Sequence, residues 1–478
     1  MDEARPCQQR GAWHRALSGL RPRLAPCSGV GLGLALPFAF AGVPRAADLF
    51  SQIAIPAGAA VAAILAISLP VRWLLYGVIL ALPFDNYAVP VGPLGISVSD
   101  ALLVVVTLRW LLTALYRGGR IARSELYLPA ALFYVLLLPS FFVTFDFGIS
   151  LRQAFSILMM LLTAIVTANL LRSERRLMGA VMATLAASLV MSALALLQLA
   201  IWTRYRISPL QSVVDVVQLG GVKFLRLTGT TFDPNYLALY LVVPLVLGLF
   251  VALEGQVSSR YKAFAWLVVG LDLAVFVMTF SRGGWVTLLA FMAAFVLLRA
   301  RAVSRAVWLG MLVAVVIAAP VVAALVVSIN PASVVNRLSL LQLGLGVMAK
   351  HPLVGTGLGT FMYLPQNVMR RFAHSTYIQV GADAGIPALL AFLSLAAVVV
   401  FNALRARRVA QPGVARTILT GCLFALGCVA LQSAFLNALV LKHLWVLVGM
   451  TSAAAALART DAPDTEPAPA LAQTTAPG

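Results

Sequence analysis

The sequence predicts an all-α polytopic membrane protein, and three observations lead to that fold class. The chain has 478 residues, of which 61% are hydrophobic and only 11% are charged. Its mean hydropathy is +0.96, far above that of a water-soluble domain. Apolar runs of about 20 residues, the length that crosses the hydrocarbon core of a bilayer, recur along nearly the whole chain. These runs are continuous rather than alternating, which is the pattern of membrane-spanning helices.

The apolar runs predict about 12–14 transmembrane helices. The candidate spans are residues 29–44, 52–69, 71–84, 100–116, 126–144, 153–171, 178–200, 235–253, 263–280, 284–300, 306–329, 385–403, 417–436 and 439–458. The span at 29–44 is short, and it is interpreted either as a helix or as a signal-like segment.

Arginine placement predicts the orientation of these helices. The net charge is +19, and much of it lies in short loops, at residues 117–123, 172–176, 299–305 and 405–416. If the spans alternate, all these loops and both termini lie on one side, which the positive-inside rule makes the cytoplasm. The positive charge is thereby explained without a nucleic-acid partner.

The same alternation divides the chain into three parts. Residues 1–28 form a basic cytoplasmic segment, residues 29–458 form the transmembrane domain, and residues 459–478 form a disordered Pro/Ala-rich cytoplasmic tail. Two long segments face outward, at about residues 203–235 and at about residues 330–385; the second is a large periplasmic loop between late helices. The four cysteines have no metal-ligand spacing, and we predict no disulfide, metal or cofactor.

Arginines on the outer side are contrary to the positive-inside rule, which places basic residues in cytoplasmic loops. Arg226 and Arg337 lie in the two outer segments, and Arg282 lies in a tight hairpin between two spans at the same side. Guanidinium groups pair with phosphate in bidentate fashion, so an anionic ligand at this face explains them. A snorkelling arginine in a tight turn explains Arg282 equally well.

Two further motifs have both a structural and a functional interpretation. Asp233 followed by Pro234 is typical of a helix N-cap and first position, and we prefer that role for Asp233 over catalysis. Asn235 either bonds a sugar or supports the helix start. His374 is one of four histidines, and a neutral histidine on the arginine-bearing outer face is able to take a proton from a hydroxyl.

Four motifs in this order resemble the O-antigen ligase and polymerase family. They are RLTGTTFDPN at 226–235, SRGG at 281–284, Arg337 followed by HPLVGTGLG at 351–359, and HSTYIQ at 374–379 followed by AGIP at 384–387. The resemblance covers about residues 200–400. The family pattern reads His-Asn where this chain has His374-Ser375, and acid-Thr-Gly where it has residues 383–385.

The resemblance implies a metal-independent glycosyltransferase of the bacterial inner membrane, with its active site facing the periplasm. Such enzymes move a glycan en bloc from undecaprenyl diphosphate to a sugar acceptor, either a glycan or lipid A–core. By position, His374 is the expected base, and Arg282 and Arg337 are expected to stabilise the diphosphate. The expected substrate contacts are Arg226, Asn235, Tyr377 and Gln379.

Several functions remain open on sequence alone. Within the family, polysaccharide polymerase, O-antigen ligase and protein glycosyltransferase differ in acceptor, and the polymerase interpretation adds a chain-length regulator as a partner. Outside it, a transporter or flippase for lipid-linked or anionic solutes also fits the helix content, although such folds more often show paired repeats and broken helices. A structural subunit of an envelope complex is a third class.

Overall fold

The computed structural model describes residues 68–460, apart from residues 92, 117–123, 208–214, 220–221, 255 and most of 300–330. These residues belong to one compact unit, Ala60–Gly478, whereas the second unit, Met1–Ala59, lies outside them. The predictions for the segment 1–28, the spans at 29–44 and 306–329, most of the span at 52–69, and the tail from residue 461 therefore fall outside the described residues.

Twelve α-helices and two antiparallel β-hairpins lie within the described part of the chain. The helices are α1 Val71–Ala81, α2 Val98–Tyr116, α3 Tyr127–Leu137, α4 Phe147–Leu170, α5 Glu174–Tyr205, α6 Pro234–Leu253, α7 Ser259–Val277, α8 Arg282–Arg299, α9 Pro331–Lys350, α10 Thr376–Val409, α11 Val414–Ser433 and α12 Lys442–Thr460. The hairpins pair β1 Val89–Val91 with β2 Leu94–Ile96, and β3 Val216–Leu219 with β4 Val222–Leu225.

The helices confirm the predicted fold class. Six of those described, α2, α4, α5, α6, α10 and α11, are long and apolar enough to cross a membrane, and three shorter apolar helices begin at Val71, Tyr127 and Arg282. Each predicted span from 71–84 to 284–300, and from 385–403 to 439–458, coincides with a helix. The chain is thus an all-α, multi-pass membrane protein.

Contacts between loops define two faces of the bundle. Arg459 at the end of α12 pairs with Glu125 before α3 at 2.7 Å. The Ala415 amide at the start of α11 donates to Glu174 at the start of α5 at 2.8 Å. These contacts gather the loops before α3, α5 and α11 and the end of α12 at one face, the arginine face. The helices α6, α8, α10 and α12 begin at the opposite face.

A buried ion cluster ties α12 to the first two helices at that opposite face. The Lys442 ammonium is only 3% exposed, and it lies 2.5 Å from Asp85 and 2.9 Å from Asp100. The hydroxyls of Ser97 and Ser99 complete its surroundings at 3.0 and 2.7 Å. Because a buried charge is costly unless it is paired and hydrogen-bonded, these partners explain how a lysine is accommodated here.

Helix α10 is broken near its start, at Gly385, where the backbone has φ 86° and ψ 172°. Pro387 contributes to the break because it has no N–H to donate to the Asp383 carbonyl one turn earlier. That carbonyl instead accepts from the Gly357 amide at 3.1 Å. The helix itself begins at Thr376, earlier than the predicted span at 385–403.

The loop at residues 351–359, which we call the glycine loop, packs directly against this break. The Thr356 amide donates to the Ala382 carbonyl at 3.0 Å, and the Ile386 amide donates to the Pro352 carbonyl at 2.7 Å. The backbone groups released by the break are therefore satisfied by the loop, as buried backbone groups must be. A Cβ on Gly355 would overlap the backbone of residues 382–383, so a glycine is required there.

Replacing Gly385 with alanine is expected to destabilise the protein. Its backbone conformation is essentially restricted to glycine and would cost about 1–3 kcal/mol for another residue. The added Cβ would also overlap the Leu353 carbonyl. Thermal unfolding in detergent should show a lower Tm for Gly385→Ala. Gly427→Ala is the control, because that helical glycine faces open space and alanine favours a helix by about 0.5–1 kcal/mol. An unchanged Tm for Gly385→Ala would contradict the described break.

Candidate active site

The starts of helices α6 and α8 are joined by side-chain hydrogen bonds. Asp233 caps α6, its carboxylate accepting from the Asn235 amide at 2.7 Å, and Pro234 occupies the first helical position. The predicted N-cap role of Asp233 is thereby confirmed. The Asn235 side-chain oxygen then accepts from the Ser281 hydroxyl at 3.0 Å, just before α8 begins.

Arg226 braces the turn that precedes α8. Its guanidinium pairs with Asp215 at 2.8 Å and donates to the Thr279 carbonyl at 3.0 Å. Longer contacts reach the Phe280 carbonyl at 3.4 Å and Asn235 at 3.5 Å. The β3–β4 hairpin sets this geometry because its pairing places Asp215 opposite Arg226, whose amide donates to the Asp215 carbonyl.

Arg282 is the first residue of α8 and is half-buried. The preceding turn is tight: Phe280 has φ 49°, and the Ser281 hydroxyl accepts from the Gly284 amide at 3.3 Å. The charge of Arg282 interacts unfavourably with that of Arg226. The turn therefore directs a second guanidinium toward the same region.

Helix α9 brings Arg337 to the same region. The helix packs closely on α10 because Gly344 has no side chain where Ile378 approaches. Arg337 is half-buried. Burial lowers the pKa of Arg337 from its ordinary value, and the charges of Arg282, Arg226 and Arg371 lower it further while Asp233 raises it. Within the described residues, Arg337 forms no ion pair with a carboxylate.

His374 lies beside Arg337, immediately before the N-cap of α10. It is half-buried and has φ 51°, in the left-handed region, and the next residue, Ser375, caps the helix by accepting from the Ile378 amide. Burial lowers the pKa of His374 to about 4, with a further lowering by Arg337 and Arg371 and an opposing effect of Asp233. The imidazole is therefore neutral at pH 7, with a lone pair able to accept a proton.

Several guanidinium groups lie near one another in this region. Within the part of the chain that the structure describes, Arg337 interacts with the charges of Arg282, Arg226 and Arg371 and with the Asp233 carboxylate, and Arg226 pairs with Asp215. Like charges held close together at partly buried positions are unfavourable unless a ligand neutralises them. The arrangement suits a dianionic group such as a diphosphate, next to a neutral base.

The other two predicted substrate contacts lie in the first turn of α10. The Tyr377 hydroxyl donates to the Ala430 carbonyl of α11 at 2.8 Å. The Gln379 amide is engaged on both sides, donating to Asp383 at 2.7 Å and accepting from the Ala373 amide at 2.9 Å. Both side chains are thus used within the protein, close to His374.

Sequence reasoning did not single out two charged members of the site. Arg371 is exposed, and its charge acts on both His374 and Arg337; its position three residues before the histidine was the available signal. Asp215 is brought to Arg226 only by the β3–β4 hairpin. The Gly220-Gly221 pair between the two short apolar runs was the signal for that hairpin.

Among the described residues, no group of three or more His, Cys, Asp or Glu side chains is arranged to hold a metal ion.

Residues 267–393 match the family described as O-antigen ligase. No curated protein matches the chain. The matched segment contains Arg282, Arg337, the glycine loop, His374 and the break in α10, whereas Arg226 and Asn235 precede it. Through this segment the chain is similar to the O-antigen ligase family, which supports the resemblance carried by its sequence motifs.

Proposed function

We propose that the chain is a metal-independent glycosyltransferase of the bacterial inner membrane, acting at the periplasmic face. It transfers a glycan en bloc from undecaprenyl diphosphate to a sugar acceptor, as a polysaccharide polymerase or an O-antigen ligase. The observation that carries the proposal is the half-buried Arg337, with other guanidinium groups near it, next to a neutral histidine. The similarity of residues 267–393 to the O-antigen ligase family supports a lipid-linked glycan as substrate.

The proposed reaction uses three side chains. The acceptor hydroxyl attacks the anomeric carbon of the donor sugar while the bond from that carbon to the diphosphate oxygen breaks. His374 takes the hydroxyl proton, a role that contributes typically about 10²–10⁴-fold to rate. Arg282 and Arg337 hold the departing diphosphate and stabilise the negative charge that develops on it, the task that a metal ion performs in other transferases.

The remaining members of the site support these three. Arg226 and Asn235 fix the turn that carries Arg282. Tyr377 lies in the turn after His374 and is only half-buried, so its ring is available to a sugar in addition to its protein contact. Gln379 follows two residues later in the same turn of α10, and its side chain is buried in the protein interior. Arg371 is exposed at the rim and is suited to attract the anionic donor.

Glycan profiling of a deletion strain tests the proposed function and separates its two forms. Loss of a polymerase should leave single lipid-linked repeats, whereas loss of a ligase should leave full-length polymer on its lipid carrier and bare lipid A–core. Complementation with the wild-type gene should restore the product, and complementation with His374→Ala should not. Unchanged glycans in the deletion strain would contradict the proposal, and intact donor accumulating in the inner leaflet would favour a flippase.

The pH dependence of transfer should reflect the lowered pKa of His374. The base is active only when neutral, so activity is lost as pH falls through its pKa. Because that pKa is about 4, kcat/KM should stay nearly constant from pH 7 to pH 5 and fall only near pH 4. The measurement is a pH profile in detergent, with circular dichroism and donor stability checked at each pH. A fall centred near pH 6.5, the value of an unperturbed histidine, would contradict this assignment.

A further inference from the structure

A chain of buried hydrogen bonds connects the break in α10 to the segment that carries His374. Gln379 and Asp383 are 1% and 3% exposed. The Gln379 amide nitrogen donates to one Asp383 oxygen at 2.7 Å, and the Gln379 oxygen accepts from the Ala373 amide at 2.9 Å. Ala373 directly precedes His374, so the backbone at the histidine is held from the interior of the protein.

The Asp383 carboxylate also holds the glycine loop. Its other oxygen accepts from the Phe361 amide at 3.1 Å, and the carboxylate accepts a further bond from the Gly359 amide. The same loop satisfies the backbone groups released by the break at Gly385. One carboxylate therefore joins three features: the broken helix, the glycine loop and the segment before the histidine.

We propose that Asp383 and Gln379 are positioning residues that hold His374 in its working orientation; this inference rests on the proposed function. Neither side chain reaches the reacting atoms in this account. His374 needs such support because its φ of 51° is uncommon for a residue with a side chain. A displacement of about 1 Å at a catalytic group is able to cost about 10²-fold in rate.

Each hydrogen bond in this chain has a defined donor and a defined acceptor. Exchanging donors for acceptors therefore tests whether the chain positions His374. In the structure the Asp383 oxygens act only as acceptors, toward the donors from Gln379, Phe361 and Gly359. Asp383→Asn places an NH₂ group against one of these donors. Gln379→Glu places a second carboxylate against Asp383. Each single change leaves a buried polar group unsatisfied or repelled, which is costly.

Combining Gln379→Glu with Asp383→Asn reverses the polarity and restores the chain. One oxygen of the carboxylate introduced at position 379 accepts from the Ala373 amide, and its other oxygen accepts from the NH₂ group introduced at position 383. The side-chain oxygen that remains at position 383 is still an acceptor for the Phe361 amide. The total charge of the pair is also unchanged, because one carboxylate and one amide are still present.

The experiment measures glycan transfer by the purified full-length protein for the wild type, both single variants and the double variant. Each single variant should lose about 10²-fold in rate, chiefly in kcat, because the diphosphate contacts of Arg282 and Arg337 are untouched. The double variant should recover most of the lost rate. Recovery would also exclude misfolding as the cause of the lost rate. A double variant that inserts into the membrane and transfers glycan would show that the direction of the hydrogen bonds was the cause.

A second readout separates positioning from a general loss of stability. His374 faces Arg337 from α9, Asp233 from the start of α6, and Arg371 from its own segment. A histidine that is no longer held becomes more hydrated, so the acid limb of the pH profile should move up from about 4 toward 6.5 in Asp383→Asn. The double variant should return the limb to its wild-type position.

Asn169→Asp is the matched control, because it makes an isosteric charge change at a buried amide in the last turn of α4, near the arginine face. Asn169→Asp should leave the acid limb of the pH profile of transfer at its wild-type position. The positioning role would be overturned if Asp383→Asn had wild-type kcat and an unchanged acid limb of the pH profile, or if the double variant did not recover the lost rate. Either result would leave the proposed function intact. Absence of transfer by the wild type would overturn both.

Discussion

Replacing His374 with alanine is expected to lower the rate of glycan transfer by about 10²–10⁴-fold, the usual contribution of a general base. The imidazole is neutral at pH 7 because burial and neighbouring arginines depress its pKa to about 4. Without it, the acceptor hydroxyl keeps its proton during attack. The rate should be measured with purified protein in liposomes at saturating donor, so that the loss appears in kcat.

The design of this test takes account of the backbone at the site. His374 has φ 51°, and alanine is less tolerant of that conformation than asparagine. His374→Asn therefore removes the base with less strain and should lose transfer to the same extent. His351→Ala is the matched control, since His351 is exposed and follows α9 as the first residue of the glycine loop. Transfer by both His374 variants at near wild-type rates would show that another group accepts the proton.

Arg337→Ala is expected to lower transfer by about 10²–10³-fold, the usual cost of removing one preorganised donor at a developing negative charge. Burial and, after it, the neighbouring positive charges lower the pKa of Arg337, and among the described residues it forms no ion pair with a carboxylate. These conditions suit a group whose partner is the substrate. Arg337→Lys should be intermediate, because lysine keeps the charge but loses the bidentate geometry.

The same variant should not lower protein stability. Arg337 contributes repulsion with Arg282, Arg226 and Arg371 in the absence of ligand, so its removal should leave the Tm unchanged or raise it. A raised Tm together with lost transfer is the expected signature of a charge kept for ligand binding. Lys350→Ala, at the exposed far end of the same helix, is the control. Normal transfer by Arg337→Ala, or a large fall in its Tm, would indicate a structural arginine instead.

Much of the fold was predictable from the sequence because its signals are local. Apolar runs located the helices, and the Asp233-Pro234 pair located the start of α6. The closely spaced glycines at 355, 357 and 359 favour a backbone bend or a close approach, and all three have positive φ. Each of these features depends on a few neighbouring residues, so no knowledge of distant contacts was needed.

Features that depend on distant pairs could not be predicted. Lys442 is paired with Asp85 across most of the chain, and nothing near either residue indicates the other. Hydropathy also predicted the start of this span at residue 385, whereas the helix begins at Thr376. The first turns of α10 are more polar than the span, and hydropathy carries no information on the break at Gly385.

The arrangement around His374 was predictable in part. Residue chemistry and outer-face placement selected Arg282, Arg337 and His374, and the structure brings Arg337 within electrostatic range of both Arg282 and His374. The role of Arg226 in bracing the turn before α8 required the β3–β4 hairpin, which brings Asp215 to it. Short hairpins between apolar helices give weak periodic signals, so they were missed.

The most direct test of the central claim is product formation by the purified protein in liposomes. The donor is a radiolabelled short glycan on undecaprenyl diphosphate, and the acceptors are a second donor molecule or lipid A–core, with EDTA present throughout. We expect labelled transfer product and free undecaprenyl diphosphate in equal amounts, formed by the wild type and not by His374→Asn. Movement of intact donor across the bilayer without either product, or transfer that requires an added divalent metal, would contradict the central claim.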